Sequence, residues 1–232
     1  MQNHASTLAA EFKLDAARVA ATVALIDEGN TIPFIARYRK EATGSMDDQT
    51  LRALDERLSY LRKLDDQKET VHNSITEQGA MTPEIAAALE KAKTLAEVED
   101  IYRPYKPKRK TRASIARARG LEPLAARLLE QRPEDEPALL ARQYITEEVP
   151  DTEAALAGAR DILAEGFSDS ANLRATLRSL YNATALVESK AAKKDTDSVY
   201  SGYYDYSEPA AKMAGHRILA VDRGEREGFL KV

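Results

Sequence analysis

The apolar residues of this chain recur mostly at intervals of three and four positions, which is the spacing of one face of an α-helix. The most regular stripe is formed by Leu51, Leu54, Leu58, Leu61, Leu64, Val71 and Ile75. Asp47 or Asp48 is suited to cap this stretch and Gly79 to stop it, so the pattern predicts one helix of about thirty residues. Because the stripe is narrow, the helix is expected to pack along several shorter helices, and a coiled-coil partner is the alternative.

Helical patterns also precede the long helix. Residues 4–29 predict two short helices, and residues 31–43 predict a third one after a short turn. Helix, turn and helix in this order form the skeleton of a helix-turn-helix motif, whose second member here carries Arg37, Arg39 and Lys40. These three cations are candidate nucleic-acid contacts. An ordinary α-hairpin has the same pattern, so the sequence leaves both interpretations open.

Short helices separated by Pro and Gly are predicted for most of the remaining chain. A helix that begins near residue 168 is expected to run through Val187 toward Lys190, and residues 207–209 are expected to open a last short helix. Residues 216–221 suit a helix and a buried strand equally well. The predicted fold class is therefore all-α: a multi-helix array with a helix-turn-helix-like N-terminal part and a short strand possible at the C-terminal end.

Three parts are predicted along the chain. Residues 1–45 form the helix-turn-helix-like part, residues 46–195 a helical region, and residues 196–232 a tyrosine-rich segment with a C-terminal stub. The tyrosines of the last part either stack on bases or, as we favour, pin an irregular segment onto a helical core. Because the final residues, GFLKV, stop without a terminal cap, we expect a cut through a longer protein whose further domains are missing.

A concentrated block of positive charge, the basic segment, spans residues 101–121. It contains no acid and eight cations: Arg103, Lys106, Lys108, Arg109, Lys110, Arg112, Arg117 and Arg119. The whole chain has a net charge of −4, so the rest of it is strongly acidic and the positive charge is local. Pro104 and Pro107 fix φ and remove backbone donors, which predicts an extended, exposed loop in the first half of the segment.

Two interpretations of the basic segment follow from its residues. Clustered Lys and Arg bind nucleic-acid phosphates, and Tyr102 and Tyr105 offer faces on which a base could stack. Alternatively, the segment is a solvated loop whose cations pair with the many Asp and Glu of the chain.

The composition excludes several kinds of chemistry. The chain has no cysteine, which rules out disulfides and thiolate metal sites, and its three histidines are far apart. No Gly-rich phosphate cradle, dinucleotide fingerprint or nucleophile elbow is present. We therefore expect no enzyme, no metal and no cofactor. No secretory signal and no apolar run of about eighteen residues occurs, so the protein is expected in the cytoplasm without a membrane partner.

Four segments together resemble the Tex family of bacterial transcription accessory proteins. They are TIPFIARYRKEATGSMDDQTLRALDERL at 31–58, LAEVEDIYRPYKPKRKTRASIARARGLEPLA at 95–125, YYDYSEP at 203–209 and HRILAVDRGEREG at 216–228. The resemblance extends over nearly the whole chain and corresponds to the N-terminal region of the family. It places Arg103, Lys106, Lys108, Arg109, Lys110 and Arg112 on a family motif.

The resemblance implies a helical N-terminal region with a helix-turn-helix-like part. In the family this region precedes a nuclease-like domain of the resolvase type, helix-hairpin-helix elements and a C-terminal S1 domain. The family is similar to a eukaryotic elongation factor. The resemblance also implies binding of DNA or RNA, without sequence preference, in transcription. The alternative function is a scaffold that docks the missing C-terminal domains or RNA polymerase and does not touch nucleic acid.

Overall fold

The computed structural model describes residues 4–107, 109–192 and 198–232. This part of the chain contains thirteen α-helices and one small antiparallel sheet, so the predicted helical fold with a strand near its C-terminal end is confirmed. The chain divides into two compact units, Met1–Tyr105 and Lys106–Val232. The three-part division inferred from the sequence stays a prediction.

The first unit contains helices and no strand in its described residues. Its elements are α1 (Ala5–Phe12), α2 (Ala16–Asp27), α3 (Ile32–Tyr38), α4 (Lys40–Thr43), α5 (Asp48–Glu77), α6 (Pro83–Lys91), α7 (Leu95–Tyr102) and a 3₁₀ turn (Arg103–Tyr105). The long helix α5 begins after Asp47, whose carboxylate accepts a hydrogen bond from the Thr50 backbone N–H at 2.6 Å.

Helix α5 organises the first unit because its whole apolar stripe is buried. Its first half, with Leu54 and Leu58, shares a hydrophobic cluster with Leu8 of α1 and Val19 of α2. Its second half lies in another cluster, formed by Leu64, Val71 and Ile75 with Leu89, Ala92 and Val98. The long helix therefore packs along several shorter helices, as expected. Its apolar stripe is buried by residues of the same chain and not by a coiled-coil partner.

The second unit combines helices with the sheet. Its elements are α8 (Arg112–Ala118), α9 (Glu122–Leu129), α10 (Pro137–Arg142), α11 (Thr152–Asp169), α12 (Ala171–Thr184), β1 (Leu186–Ala191), β2 (Asp205–Pro209), α13 (Gly215–Arg226) and β3 (Leu230–Lys231). Strand β1 is central and pairs with both others in antiparallel fashion. In its register Val187 lies opposite Glu208, and Lys190 lies opposite Lys231.

One sequence prediction about the second unit is wrong, a second is correct only in part, and a third is resolved. The helix expected to reach Lys190 ends at Thr184, since residues 186–191 form the central strand. Residues 207–209 belong to β2, and the short helix that follows them is a single 3₁₀ turn, Ala210–Lys212, for which Pro209 is the N-cap. Residues 216–221 are helical, inside α13. Pairing between strands that are distant in sequence overrides local helix propensity here, and the periodicity of apolar residues contains no information about such pairing.

Close packing of small side chains holds α8 against α11. Ala113 and Ala116 of α8 are buried in one hydrophobic cluster with Ala155 and Ala159 of α11. Between these two alanines, a Cβ atom added at Gly158 would lie 2.4 Å from Leu121 Cδ1 and 3.3 Å from Ala116 Cβ. Because position 158 has no side chain, α11 can lie this close to Ala116 of α8 and to Leu121, which follows α8.

The tyrosine-rich segment is pinned to the rest of the second unit in its described residues. Tyr200 is buried and donates a hydrogen bond to Glu227 at 2.8 Å. Tyr206 donates to Glu208, which also accepts two hydrogen bonds from Arg217 of α13, at 2.9 and 2.7 Å. Tyr200 thus ties the segment to the end of α13, as favoured, whereas Tyr206 lies in strand β2 and not in an irregular segment.

We expect Gly158→Ala to lower the free energy of unfolding by about 1–3 kcal/mol, because overpacking a buried contact forces the neighbouring helix to shift. The control is Gly166→Ala in the same helix, where an added Cβ meets no atom within 4 Å. That change should stabilise the protein by up to about 1 kcal/mol through helix propensity. Urea denaturation followed by circular dichroism measures both, and equal effects would contradict the close packing of α8 on α11.

The Glu208 cluster predicts a specific acid sensitivity. Hydrogen bonds from Tyr206 and then Arg217 lower the pKa of the Glu208 carboxyl from its ordinary 4.5. Its contribution to stability is therefore complete above about pH 5 and is lost as the pH falls through the lowered value. Glu208→Gln should destabilise the protein at pH 7, and the difference from the unchanged protein should shrink at pH 3 in urea denaturation. Glu225→Gln, on an exposed position of α13, is the control and should show no such convergence.

Candidate nucleic-acid interface

The first half of the basic segment is less extended than its prolines predict. Arg103–Tyr105 forms a 3₁₀ turn that continues α7, and only Lys106 and Pro107 follow as exposed, non-helical residues before position 108. The expectation of an extended loop is therefore wrong for Arg103–Tyr105. A 3₁₀ turn is a common end of an α-helix, and the φ of Pro104 suits it.

The two tyrosines beside this turn are used for packing. Tyr102 and Tyr105 are half-buried and lie against the hydrophobic cluster of α5, α6 and α7. The Tyr102 and Ser74 hydroxyls share a hydrogen bond of 2.9 Å. The rings of Tyr102 and Tyr105 thus pack on the hydrophobic core of the first unit, which leaves less ring surface for a base than the sequence suggests.

Three arginines of the second half of the basic segment have carboxylate neighbours. Arg117 lies 2.7 Å from Glu165 and 3.4 Å from Glu122. Glu165 of α11 also accepts a hydrogen bond from Thr111, the residue that caps α8, at 2.9 Å. Because Glu165 is mostly buried and has two partners at α8, Arg117 serves to fix α8 on α11. Its side chain is 36% exposed, and its role as a nucleic-acid contact stays a prediction.

The other two paired arginines are held more loosely. The Arg119 guanidinium lies 3.8 Å from Glu148, and both side chains are exposed. Arg112 lies 3.6 Å from Asp161, yet its side chain remains 86% exposed. Exposed ion pairs of this length contribute little to stability, so Arg112 and Arg119 can exchange the carboxylate for another anion at small cost.

Arg109 and Lys110 differ from the cations that follow them. Both are exposed, and neither forms an ion pair within the described residues. Arg103 is half-buried and, like the exposed Lys106, takes part in interactions of its own within the chain. Lys108, also predicted as a contact, lies outside the described residues. Within the part of the segment that the structure describes, Arg109 and Lys110 are thus the cations most open to an anion.

The first unit presents a second cationic group, at the end of α3 and the start of α4. Arg37, Arg39 and Lys40 are all exposed, and none has a carboxylate within ion-pair distance among the residues described. Two aromatic residues accompany them, which were not among the contacts predicted from the sequence. The rings of Phe34 and Tyr38 are 5.2 Å apart, and Tyr38 is 60% exposed. Phe34 and Tyr38 are four positions apart on α3, and this spacing could have indicated from the sequence that the two rings lie on one face of the helix.

The structure supports the helix-turn-helix hypothesis only in the order of the helices. Helices α2 and α3 follow one another through residues 28–31, as the motif requires. A recognition helix, however, contacts base edges with its N-terminal residues. Here Arg37 lies in the last turn of α3, and Arg39 and Lys40 follow it. Reading of duplex DNA by α3 stays a prediction.

Neither a metal centre nor a membrane-spanning helix occurs in the described part of the chain. Those residues contain no group of three or more His, Asp or Glu side chains arranged to hold a metal ion. None of their helices has the combination of length and apolar character that crossing a bilayer requires.

Comparison with known protein families matches the chain in two regions. Residues 2–76 match the Tex-like protein N-terminal domain, and residues 132–232 match the Tex central region-like family. Together these regions include α1–α5 with the Phe34–Lys40 group, and most of the second unit. The chain is a member of the Tex family.

Individual relatives agree with this assignment. The chain is 48% identical over 229 residues to Protein tex of Bordetella pertussis, and 46% identical over 227 residues to Transcriptional accessory protein Tex of Neisseria gonorrhoeae. Each alignment includes 97% of this chain but only 29% and 30% of the relative. The human S1 RNA-binding domain-containing protein 1 is 32% identical over 226 residues, which are 90% of this chain and 22% of that protein. The chain thus spans less than a third of the length of these relatives.

Proposed function

We propose that this chain is a nucleic-acid-binding helical part of a transcriptional accessory protein, acting in the cytoplasm without a catalytic role of its own. Its basic segment contacts the phosphates of DNA or RNA without reading sequence. The observation that carries the proposal is the exposure of Arg109 and Lys110 without ion-pair partners among the described residues. The names of the relatives, which refer to transcription and RNA binding, agree with it.

The distribution of charge supports this choice. The chain has 38 acidic and 34 basic residues, so acids to neutralise a cation are abundant. Arg52, Arg57, Arg62 and Arg226 all have such partners at 2.6–2.7 Å. Two adjacent cations that stay unpaired on so acidic a chain are suited to an external polyanion, and phosphates are the polyanion that clustered Lys and Arg bind best.

We assign different roles to the cations of the basic segment according to their ion pairs. Arg109 and Lys110 bind phosphates directly, and the loosely held Arg112 and Arg119 add to them when a ligand replaces their carboxylates. Arg117 positions α8 and does not bind. A protein that uses a few phosphate contacts should bind weakly, and its affinity should depend strongly on salt.

The test is the double variant Arg109→Glu/Lys110→Glu in a fluorescence-anisotropy titration with duplex DNA, single-stranded DNA and RNA. Because two phosphates are no longer neutralised, binding to all three should weaken about tenfold or more at low salt. The slope of log K against log[salt] for duplex DNA should also become shallower, by about 0.9 for each of these phosphates.

The matched control is Arg52→Glu/Arg226→Glu. It changes the net charge equally, at two exposed arginines that lie in i, i+4 pairs. If the control weakens binding as much as the double variant, the effect is general electrostatics and the proposed contact is refuted. Unchanged affinity of the double variant would refute it as well.

A second candidate function, docking of other protein domains, rests on the apolar face of α12. Leu173, Leu177, Leu180 and Tyr181 recur at helical spacing on this helix, and each is between 43% and 62% exposed. No residue of α12 is buried. The occupant we propose for this face is the part of the longer Tex chains that lies outside the matched span, since the relatives are more than three times as long as this chain.

This candidate is tested by adding the remaining part of the Bordetella pertussis relative to this chain in isothermal titration calorimetry. Leu180→Glu should abolish the binding heat, because it places a charge in the apolar contact. Leu129→Glu is the control, since Leu129 is 52% and Leu180 53% exposed. No heat with the unchanged chain, or equal losses with both variants, would refute this role. Heat with RNA polymerase alone would assign the face to a different occupant and refute it too.

A further inference from the structure

Five residues at the end of α3 and the start of α4 form an exposed aromatic and cationic group, the α3–α4 cluster: Phe34, Arg37, Tyr38, Arg39 and Lys40. Arg39 lies over the Phe34 ring, with Cζ 5.2 Å from its centroid, and Arg37 lies 6.0 Å from the Tyr38 centroid. The two rings are tilted by 46° relative to one another. The cluster therefore offers π faces bordered by positive charge.

Another cation–π contact in the same unit shows what a structural role looks like. Arg57 lies 5.1 Å from the Tyr60 centroid. Its guanidinium also donates two hydrogen bonds of 2.7 Å to Glu11, and the Tyr60 hydroxyl accepts one from the Leu95 backbone N–H at 3.1 Å. The polar groups of both side chains are thus bonded to another helix or to the start of one, so the contact links elements of the fold.

The α3–α4 cluster has no such links among the described residues. Its cations form a local hydrogen bond there, from Arg39 to the Tyr38 carbonyl at 3.4 Å. The Tyr38 hydroxyl has no partner in the described part of the chain, and its ring is more than half exposed. Neither the ring nor the charges of Arg37, Arg39 and Lys40 are needed to join α3 to another element, so their combination is available to a ligand.

The chemistry of the cluster specifies that ligand. An exposed aromatic ring gains free energy when a flat π system covers it, and unpaired cations gain when phosphates approach. Unpaired nucleotides present both groups at neighbouring positions, whereas the bases of a duplex are stacked on one another and cannot reach a ring. An acidic peptide would satisfy the cations but not the rings.

We infer that the α3–α4 cluster binds single-stranded nucleic acid, with an unpaired base stacked on Tyr38 and phosphates contacted by Arg37, Arg39 and Lys40. This inference rests on the proposed nucleic-acid-binding function but assigns a ligand class to different residues, in the first unit. It replaces the reading of duplex DNA by α3 with stacking of exposed bases. Stacking tolerates any base, so the site has little sequence preference.

The experiment uses labelled oligothymidylate, oligouridylate, a duplex hairpin with an abasic loop and an abasic strand of the same length in anisotropy titrations. Tyr38→Ala should weaken binding of both single strands about tenfold, within the range measured for loss of one stacked base. It should leave the abasic strand and the hairpin unchanged, because they have no unpaired base to stack. Tyr38→Phe should retain the affinity, since the ring remains.

Tyr181→Ala is the matched control, because Tyr181 is 62% exposed on a helix of the second unit. The inference is overturned if Tyr38→Ala has no effect, if it weakens the abasic strand or the hairpin equally, or if Tyr181→Ala has the same effect. It is also overturned if polyglutamate competes as well as a single strand of equal charge. Circular dichroism of Tyr38→Ala must show an unchanged fold for the comparison.

The double variant of Arg109 and Lys110 separates this inference from the proposed function. If that variant leaves all affinities unchanged while Tyr38→Ala selectively weakens single strands, the basic segment is not a contact and the α3–α4 cluster remains one. If the double variant weakens every ligand and Tyr38→Ala none, the basic segment binds and the cluster inference fails. A preference for oligouridylate over oligothymidylate would assign the natural ligand to RNA.

Discussion

The first unit depends on the burial of one apolar stripe along α5. Two sets of shorter helices share this stripe, so neither set has a hydrophobic core without it. Burial of its leucines supplies the main stabilisation, at about 25 cal/mol for each Å² of apolar surface removed from water. Because the stripe is satisfied along its length, α3 and α4 can leave their polar and aromatic residues at the surface without loss of the core.

A different constraint governs the second unit, where carboxylates compete for the arginines of the basic segment. Close packing of α8 on α11 places Arg117 beside Glu165, and the same carboxylate binds the cap of α8. Arg109 and Lys110 precede α8 and have no ion-pair partner among the described residues, so both stay exposed. The helix packing therefore divides one run of positive charge into cations that maintain the fold and cations that are open to a ligand.

Local signals in the sequence were sufficient for most of the fold. The cap at Asp47 and the stripe of α5 depend on residues a few positions apart, so this helix begins where predicted. The sheet was largely missed because the pairing of β1 with β2 and β3 joins residues that are distant in sequence. The candidate site was likewise predictable only in part. The positive charge of the basic segment can be read from the sequence, but the carboxylate that binds Arg117 lies on another helix, α11.

The two cationic groups differ in a way that decides which ligand each can bind. Arg109 and Lys110 present charge without an exposed ring in the described residues around them, because Tyr102 and Tyr105 pack on the core of the first unit. Such a group binds phosphates and responds to any polyanion of sufficient charge density. Arg37, Arg39 and Lys40 present charge beside an exposed ring, which adds a contribution that only an unpaired base can supply. Under the proposed function, selectivity for single strands would therefore come from the aromatic residues of α3, and affinity for phosphates from the basic segment.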